Sequence, residues 1–331
     1  MRKIVLILNF LFYASFLFAN EEDSLAYKLY KDKIILYSDL GYNSAPFSIQ
    51  YPFPNDLNKI YYRNNYKTVL GLGGAYKWFS LRIAFAIGEN TKNTEKFGTT
   101  DFREIRASYT HRKIYCEFDL RGFKGFTIKN ANAWNDSLSS ELPNDIRPNT
   151  LTVGLSLNAW YFFNEDLDMN SIYGKRGSYK RSASSFYLKN SMNIYGVGNN
   201  KTTLLPKKIV DASNTKTASP HFSALDFGVI PGYAIIYKKD NWQISGLFGF
   251  GAVIQNKYYK TNETTRSFIG LAPRYDIIFV TGYSGDKKFL LLSADFNNKS
   301  IKFNELVYRQ SFYHLKIIGG IRIDPKNKKR R

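Results

Sequence analysis

The sequence predicts an all-β fold, an antiparallel up-and-down transmembrane β-barrel of about 12 strands. Three observations predict it: an export signal at the N-terminus, apolar and polar residues that alternate with period two, and connections that alternate between short and long. The chain has 331 residues and a single cysteine, Cys116. Because no internal disulfide can form, such a fold must be held by strand pairing and packing.

The N-terminus has the layout of a cleavable secretory signal peptide. Two basic residues, Arg2 and Lys3, precede an apolar run that ends at the small residue Ala19. The run is about 15 residues long, shorter than the roughly 20 that a membrane-spanning helix needs. We therefore predict a signal peptide over 1–19 and, over 20–331, a single β-barrel domain with a short basic C-terminal tail. The mature chain then contains no candidate transmembrane helix.

Period-two alternation predicts the strands. Over 68–78, the bulky Leu70, Leu72 and Tyr76 alternate with glycine and alanine, and 81–88 repeats the pattern, which predicts a hairpin between the two. The same alternation predicts further strands at 33–49, 114–121, 151–163, 184–197, 222–237, 242–255, 266–282, 287–296 and 311–323. Two prolines inside these strands, Pro231 and Pro273, indicate bulges or an extension of the strand beyond the membrane.

The connections provide a second test, because bacterial barrels join strands by short turns on the periplasmic side and longer loops outside. The sequence follows this alternation: the long connection 89–101 and the tight turn at His111 and Arg112 enclose a further strand, and the chain closes with 12 strands and both termini on one side. One connection, 164–183, departs from the rule because it falls at a short-turn position and is long. It carries Tyr173, Tyr179 and several basic residues, and we interpret it as strands that continue beyond the membrane.

The charged residues within the strands are expected to face a watery lumen. Glu117 and Asp119 alternate with apolar residues, in a row too polar for lipid. Three basic residues, Arg82, Arg121 and Lys189, occupy inward positions in the same way and are predicted to bias the lumen toward anions. The interior is therefore predicted to be polar, and the outer face an apolar band with aromatic girdles.

The net charge of +20 is scattered along the chain. An exported barrel is not expected to meet nucleic acid, and solvated loops and lumen-facing side chains account for the excess. The expected partners are outer-membrane lipids and lipopolysaccharide, together with the barrel assembly machinery, and the expected state is a monomer. The expected location is the bacterial outer membrane after cleavage of the signal peptide.

The sequence contains no pattern that predicts catalysis. Its three histidines, His111, His221 and His314, lack a second histidine, a cysteine or a carboxylate at metal-ligand spacing. A G-x-S-x-G elbow is also absent. We therefore predict no catalytic, cofactor-binding or metal-binding residues, no cofactor and no enzymatic activity.

Several stretches together resemble an uncharacterised family of bacterial exported proteins, domain of unknown function 4421. The resemblance implies an outer-membrane barrel, and it supplies no catalytic or binding residues. It runs from about Tyr27 to Ile323, and one departure is that a basic tail follows Ile323, where such barrels usually end on an aromatic residue read by the assembly machinery. The stretches that carry it are YRNNYKTVLGLGGAYKWFSLRIAF from Tyr62, FDLRGFKGFTI from Phe118, DIRPNTLTVGLSLNAWYFFN from Asp145, KRSASSFYLKNSMNIYG from Lys180 and PGYAIIYKKDNWQISGLFGFG from Pro231.

The sequence thus predicts an outer-membrane β-barrel with a structural role or with passive binding or passage of small solutes. Two alternatives stay open. Some outer-membrane barrels are lipid-modifying enzymes with a serine and a histidine at the membrane edge. A soluble secreted or periplasmic ligand-binding β protein also contains many alternating strands, although its core needs large apolar residues inside.

Overall fold

The fold consists almost entirely of antiparallel strands in a computed structural model that describes residues 25–53, 57–111, 113–261 and 265–325. The predicted signal peptide and most of the basic tail lie outside these residues. The strands are β1 (Tyr27–Leu29), β2 (Ile34–Ser44), β3 (Phe47–Gln50), β4 (Lys59–Arg63), β5 (Thr68–Tyr76), β6 (Phe79–Ile87), β7 (Asp101–His111), β8 (Ile114–Ile128), β9 (Asp145–Phe162), β10 (Gly177–Tyr179), β11 (Ala183–Asn199), β12 (His221–Lys239), β13 (Trp242–Lys260), β14 (Thr265–Ser284), β15 (Lys288–Phe303) and β16 (Leu306–Ile323).

Helical structure in the described residues consists of short segments. These are the α-helices α1 (Thr94–Phe97) and α2 (Met169–Ile172) and the 3-10 turns at Ala131–Ala133 and Lys207–Ile209. Within the described part of the chain, no helix has the length and apolar character needed to cross a bilayer.

Twelve of the strands form a closed ring, which confirms the predicted barrel. Each ring strand pairs with the ring strand that follows it in the chain. The order around the ring is β2, β5, β6, β7, β8, β9, β11, β12, β13, β14, β15 and β16. The ring closes where β16 pairs with β2, with Ile323 opposite Ile34. Closure leaves no free sheet edge around the middle of the barrel, so the backbone groups there are paired within the wall.

The outer face of the ring is apolar. Every ring strand directs large apolar side chains outward, because residues at alternate positions share a face. On β13, Trp242, Ile244, Phe248, Phe250 and Ile254 are each at least 48% exposed. Such an uninterrupted band costs free energy in water and is stable only against an apolar phase.

The outer end of the barrel, where the long loops lie, is closed by the β3–β4 hairpin. This hairpin passes above the short strands β5 to β7 and pairs with β16 on one side and β8 on the other. The 200–220 loop folds beneath it: the Tyr62 hydroxyl donates to the Leu204 carbonyl oxygen at 2.6 Å, and Leu204 and Leu205 are fully buried. The outer mouth is therefore filled by the protein's own side chains.

The 164–183 connection corrects a prediction. It does not extend the strands; it folds into the opposite end of the barrel through α2 and β10, and β10 pairs with β1. We call residues 164–182 the plug. Arg322 on β16 holds it by donating to the carbonyl oxygens of Gly174 (2.6 Å) and Lys175 (2.9 Å), and Gln243 on β13 donates to that of Ser171 (3.0 Å).

The position of the plug inside the barrel explains why 164–183 is rich in aromatic and apolar residues. Met169, Ile172 and Tyr179 are buried against the inward apolar residues of the wall. Asp168 caps α2 by accepting a hydrogen bond from the Ser171 amide at 3.1 Å, and burial raises the pKa of its carboxyl. The aromatic residues therefore serve the interior of the barrel and not its rim.

The interior has three levels, which refines the prediction of a polar lumen. One apolar cluster, including Phe47, Tyr62 and Phe126, fills the outer end, and another, including Trp160 and Met169, fills the end that holds the plug. Polar and charged side chains occupy the level between them. The large apolar residues lie inside because the β3–β4 hairpin, the outer loops and the plug must pack against the wall.

Candidate functional site

The charged level of the lumen is the candidate site. Inward positions on nine ring strands carry ionisable side chains there. The carboxylates are Asp39, Glu104, Glu117, Asp119, Asp226, Asp276 and Asp295, and the basic groups are Arg82, Arg106, Arg121, Lys189, Arg274, Lys299, Lys316 and His314. A charge in such a position is stable only when it is paired and hydrogen-bonded.

Arg82 is the most completely paired of these groups. It lies on β6 between the outward Leu81 and Ile83, so its side chain points into the barrel, where it is 3% exposed. Its Nε and Nη2 donate to the two carboxylate oxygens of Asp39, each at 2.6 Å, and Nη1 donates to Glu104. This two-pronged geometry is the strong form of the arginine–carboxylate pair.

A glycine on the neighbouring strand leaves space for this pair. A Cβ atom at Gly71 of β5 would lie 2.6 Å from Arg82 Nη2 and would also collide with Asp39 Oδ2. Any larger residue must therefore displace the ion pair. Gly71 therefore gives clearance for the charges on β2 and β6, and Gly73, two residues further along β5, gives clearance for the Tyr37 ring.

Arg106 and Arg121 share the carboxylate of Asp119. Arg106 Nη2 donates to Asp119 Oδ2 at 2.7 Å and to Glu104 Oε1 at 2.9 Å, which links this group to the Arg82 pair. Arg121 donates through Nε to Asp119 Oδ1 at 2.9 Å. The result is a continuous network of arginines and acids across β2, β6, β7 and β8.

A second network lies across the lumen. Lys189 Nζ is 2.8 Å from Asp276 Oδ2. Arg274 pairs with Asp226 and donates to the Tyr195 hydroxyl oxygen at 2.7 Å. Each of these contacts joins strands that are two or three positions apart in the ring, so this network braces one side of the wall across β11 to β14.

Two small cavities lie between the networks. One of about 20 Å³ is lined by Arg106, Glu117 and His314 among others, and one of about 50 Å³ by Arg274, Glu117 and Lys299 among others. Arg106 Nε, Glu117 Oε2, Arg274 Nε and His314 Nε2 are buried without a hydrogen-bond partner in the described structure. The size and the polar lining of the two cavities suit one or a few water molecules. The charged level can therefore be hydrated, but it is not an open channel.

The structure brings the three predicted basic residues into this level. Arg82 and Lys189 are buried and Arg121 is nearly so. Each is neutralised by a carboxylate, so the predicted bias toward anions does not follow from them. The sequence does not predict the acidic partners Asp39 and Glu104, although each lies at an inward position of its strand, because alternation predicts the face of a residue and not its partner.

The three histidines are dispersed. His111 ends β7 at the plug end, His221 begins β12 at the outer end, and His314 lies in the charged level beside Lys316. Among residues 25–325, apart from the few positions not described, no group of three or more His, Cys, Asp or Glu side chains could hold a metal ion.

Comparisons with known proteins place the chain in a family. A family model described as Domain of unknown function (DUF4421) matches residues 21–321. Among solved structures, the outer membrane protease OmpT from Escherichia coli is 8% identical with a TM-score of 0.43, over 92% of this chain and 100% of that chain. An outer membrane channel from Pseudomonas putida F1 is 9% identical with a TM-score of 0.38, over the same shares. No curated protein matches the sequence.

Proposed function

Because this chain belongs to the family described as Domain of unknown function (DUF4421), whose function its name leaves open, we propose a function from the geometry of the chain itself. We propose that it is an outer-membrane β-barrel, closed at both ends, with a structural or ligand-binding role and not that of a permanently open pore. The signal peptide predicted over 1–19 supports export before insertion.

The observation that carries the proposal is the combination of a closed ring with an apolar outer face. A ring satisfies its own backbone hydrogen bonds, and lipid then surrounds it without further cost. At the plug end, Trp78, Tyr109, Tyr161 and Trp242 are each exposed by 41% or more. Aromatic rings at that level match the girdle that membrane barrels place at an interface.

The filled lumen supports a closed state. Apolar clusters seal both ends, and the ion pairs of Arg82, Arg106 and Arg274 occupy the level between them. Passage of a solute then requires both the displacement of the plug and the separation of buried ion pairs. A soluble ligand-binding β protein does not account for the exposed apolar band.

Planar-bilayer recording tests the closed state. The purified protein, reconstituted at a density verified by protease protection, is expected to give no steady conductance in 1 M salt. A control in which 164–182 is replaced by a short glycine-serine turn is expected to give at most brief openings, because the outer cluster still seals the barrel. Steady ohmic steps from the unsubstituted protein would overturn the proposal.

The proposal also holds that the barrel is not an enzyme and that it is a monomer in contact with outer-membrane lipids, lipopolysaccharide and the barrel assembly machinery. The separation of His111 and His221 at opposite ends of the barrel supports the first part. Incubation with labelled phospholipid or lipid A tests it: turnover that disappears in one of the variants His111→Ala, His221→Ala or His314→Ala would replace the passive barrel with a lipid-modifying one.

A further inference from the structure

The barrel wall is split between β14 and β15 near the outer end. The two strands pair from Ser284–Phe289 as far as Asp276–Asn297 and no further, although β14 continues outward to Thr265 and β15 to Phe303. Beyond this point β14 pairs only with β13, and β15 only with β16. Two hairpins therefore stand side by side without a ladder between them.

The split begins at Pro273, which has no amide hydrogen to donate to a ladder. The side chain of Asn298 replaces the missing backbone pair: its Oδ1 accepts from the Tyr275 amide at 2.9 Å, and its Nδ2 donates to the Pro273 carbonyl oxygen at 3.3 Å. Hydrogen-bonding groups alternate along a strand, so Leu271 and Ile269 also direct their backbone groups into the split.

Side chains from the lumen satisfy the β15 edge. The Ser300 carbonyl oxygen accepts from the Tyr195 hydroxyl and from Gln255 Nε2, both at 2.9 Å. The Lys302 carbonyl oxygen accepts from Lys257 Nζ. Lys257 reaches it by crossing β14 at Gly270, where a Cβ atom would lie 3.0 Å from the amine. The carbonyl oxygens on the β15 side of the split are thus hydrogen-bonded without a neighbouring strand.

The chemistry around the split is that of an amphiphile-binding surface. On the β14 side, Ile269 and Leu271 are exposed by 79% and 76%. On the other side, Lys302 points outward, and the Lys257 amine reaches the same edge from the lumen side of β14. Among the described residues, neither lysine has a carboxylate within 4 Å, and Glu305 in the adjacent turn forms no ion pair with them. Two cations without an anion therefore adjoin a strongly exposed apolar edge.

The height of the split identifies the lipid layer that it meets. Leu271 lies opposite Ile254 and Ile269 opposite Asn256 on β13. Ile254 is the last large apolar residue of the outward row on that strand, and Asn256 is the first polar one. The split therefore begins at the outer margin of the apolar band, where headgroups meet acyl chains.

We propose that the split between β14 and β15 is a binding cleft for a phosphate-bearing lipid of the outer leaflet. The phosphate lies against Lys257 and Lys302, and an acyl chain lies along Leu271 and Ile269. This inference rests on the proposed insertion of the barrel in the outer membrane. It names the place and the chemistry of one lipid contact, which a uniform apolar band does not provide.

Native mass spectrometry of the detergent-solubilised full-length barrel, titrated with lipid A or with dephosphorylated lipid A, tests the cleft. We expect one lipid A to bind saturably and its dephosphorylated form to bind about tenfold more weakly, equivalent to about 1.4 kcal/mol. The double variant Lys257→Gln and Lys302→Gln is expected to bind lipid A about tenfold more weakly than the unsubstituted barrel does. Lys124→Gln, an exposed lysine on the outward face of β8, is the matched control and is expected to change nothing.

Equal binding of the two lipids, or an unchanged affinity in the double variant, would overturn the cleft. The comparison of the two lipids needs no substitution, so it decides the matter even if the double variant does not fold. Heat-modifiable migration of each sample is measured first. A sample that lacks it contradicts the barrel itself, whereas a heat-modifiable barrel without phosphate preference contradicts only the cleft.

Discussion

Arg82→Met is expected to lower the free energy of unfolding by about 3–5 kcal/mol, the cost of leaving a buried charge without its partner. Asp39 and Glu104 both lose their principal donor, and both are 3% exposed, so water cannot replace it. Methionine fills a similar volume without charge, so the change isolates the ion pair from the packing. The measurement is urea-induced unfolding of the barrel in detergent, followed by tryptophan fluorescence.

Two further variants test the physical reason for this loss. Arg103→Met removes an exposed arginine of the outer surface and is expected to change stability by less than about 0.5 kcal/mol. Arg82→Met combined with Asp39→Asn and Glu104→Gln removes the orphaned charges and is expected to recover part of the loss. If the single and triple variants are equally unstable, the loss in the free energy of unfolding comes from packing and not from the unpaired charges.

Arg322→Met is expected to release the plug and to cost about 3 kcal/mol, because unsatisfied buried carbonyls cost about 1–3 kcal/mol each. Arg322 is 3% exposed and donates to the carbonyl oxygens of Gly174, Lys175 and Gly285. Its guanidinium also lies 4.1 Å from the centre of the Tyr30 ring. One substitution therefore removes four side-chain hydrogen bonds, the fourth being to the Ser284 hydroxyl oxygen at 2.9 Å, and two ring contacts, the second being to Phe289.

Limited trypsin digestion measures the release. In the unsubstituted barrel the buried Arg176 is protected, and in the variant cleavage is expected at Arg176 itself before the barrel unfolds. Arg181→Met removes an exposed arginine of the same plug, paired with Asp166 at 2.8 Å, and is expected to leave Arg176 protected. Equal protection of Arg176 in the Arg322 variant would show that the plug stays in place without Arg322 and would contradict this prediction.

Alternation predicts this barrel well, because period two is a local property of the chain. The sequence predicts the turn of the β5–β6 hairpin between 78 and 81, and the structure turns at Lys77 and Trp78. The predicted strand at 242–255 is longer in the structure, Trp242–Lys260. The predicted strand ends fall short mostly on the outer side. There the strands pass the apolar band and both of their faces become polar or buried.

The plug and the ion pairs could not be predicted in the same way, because they depend on which distant residues meet. The aromatic residues of 164–183 have the same composition whether they lie at a rim or inside the lumen, and only closure of the ring decides between these. Arg82 and Asp39 are 43 positions apart, and register and lumen width bring them together. Pro273 did signal an interrupted ladder, but the partner role of Asn298 has no local signature.

The central claim is that lipid surrounds a closed ring of strands, and membrane fractionation with a heat-modifiable gel shift tests it most directly. The account predicts that the protein is recovered in the outer-membrane fraction, resists extraction at high pH, and migrates differently before and after boiling. Recovery in the periplasmic fraction with identical migration of boiled and unboiled samples would contradict it.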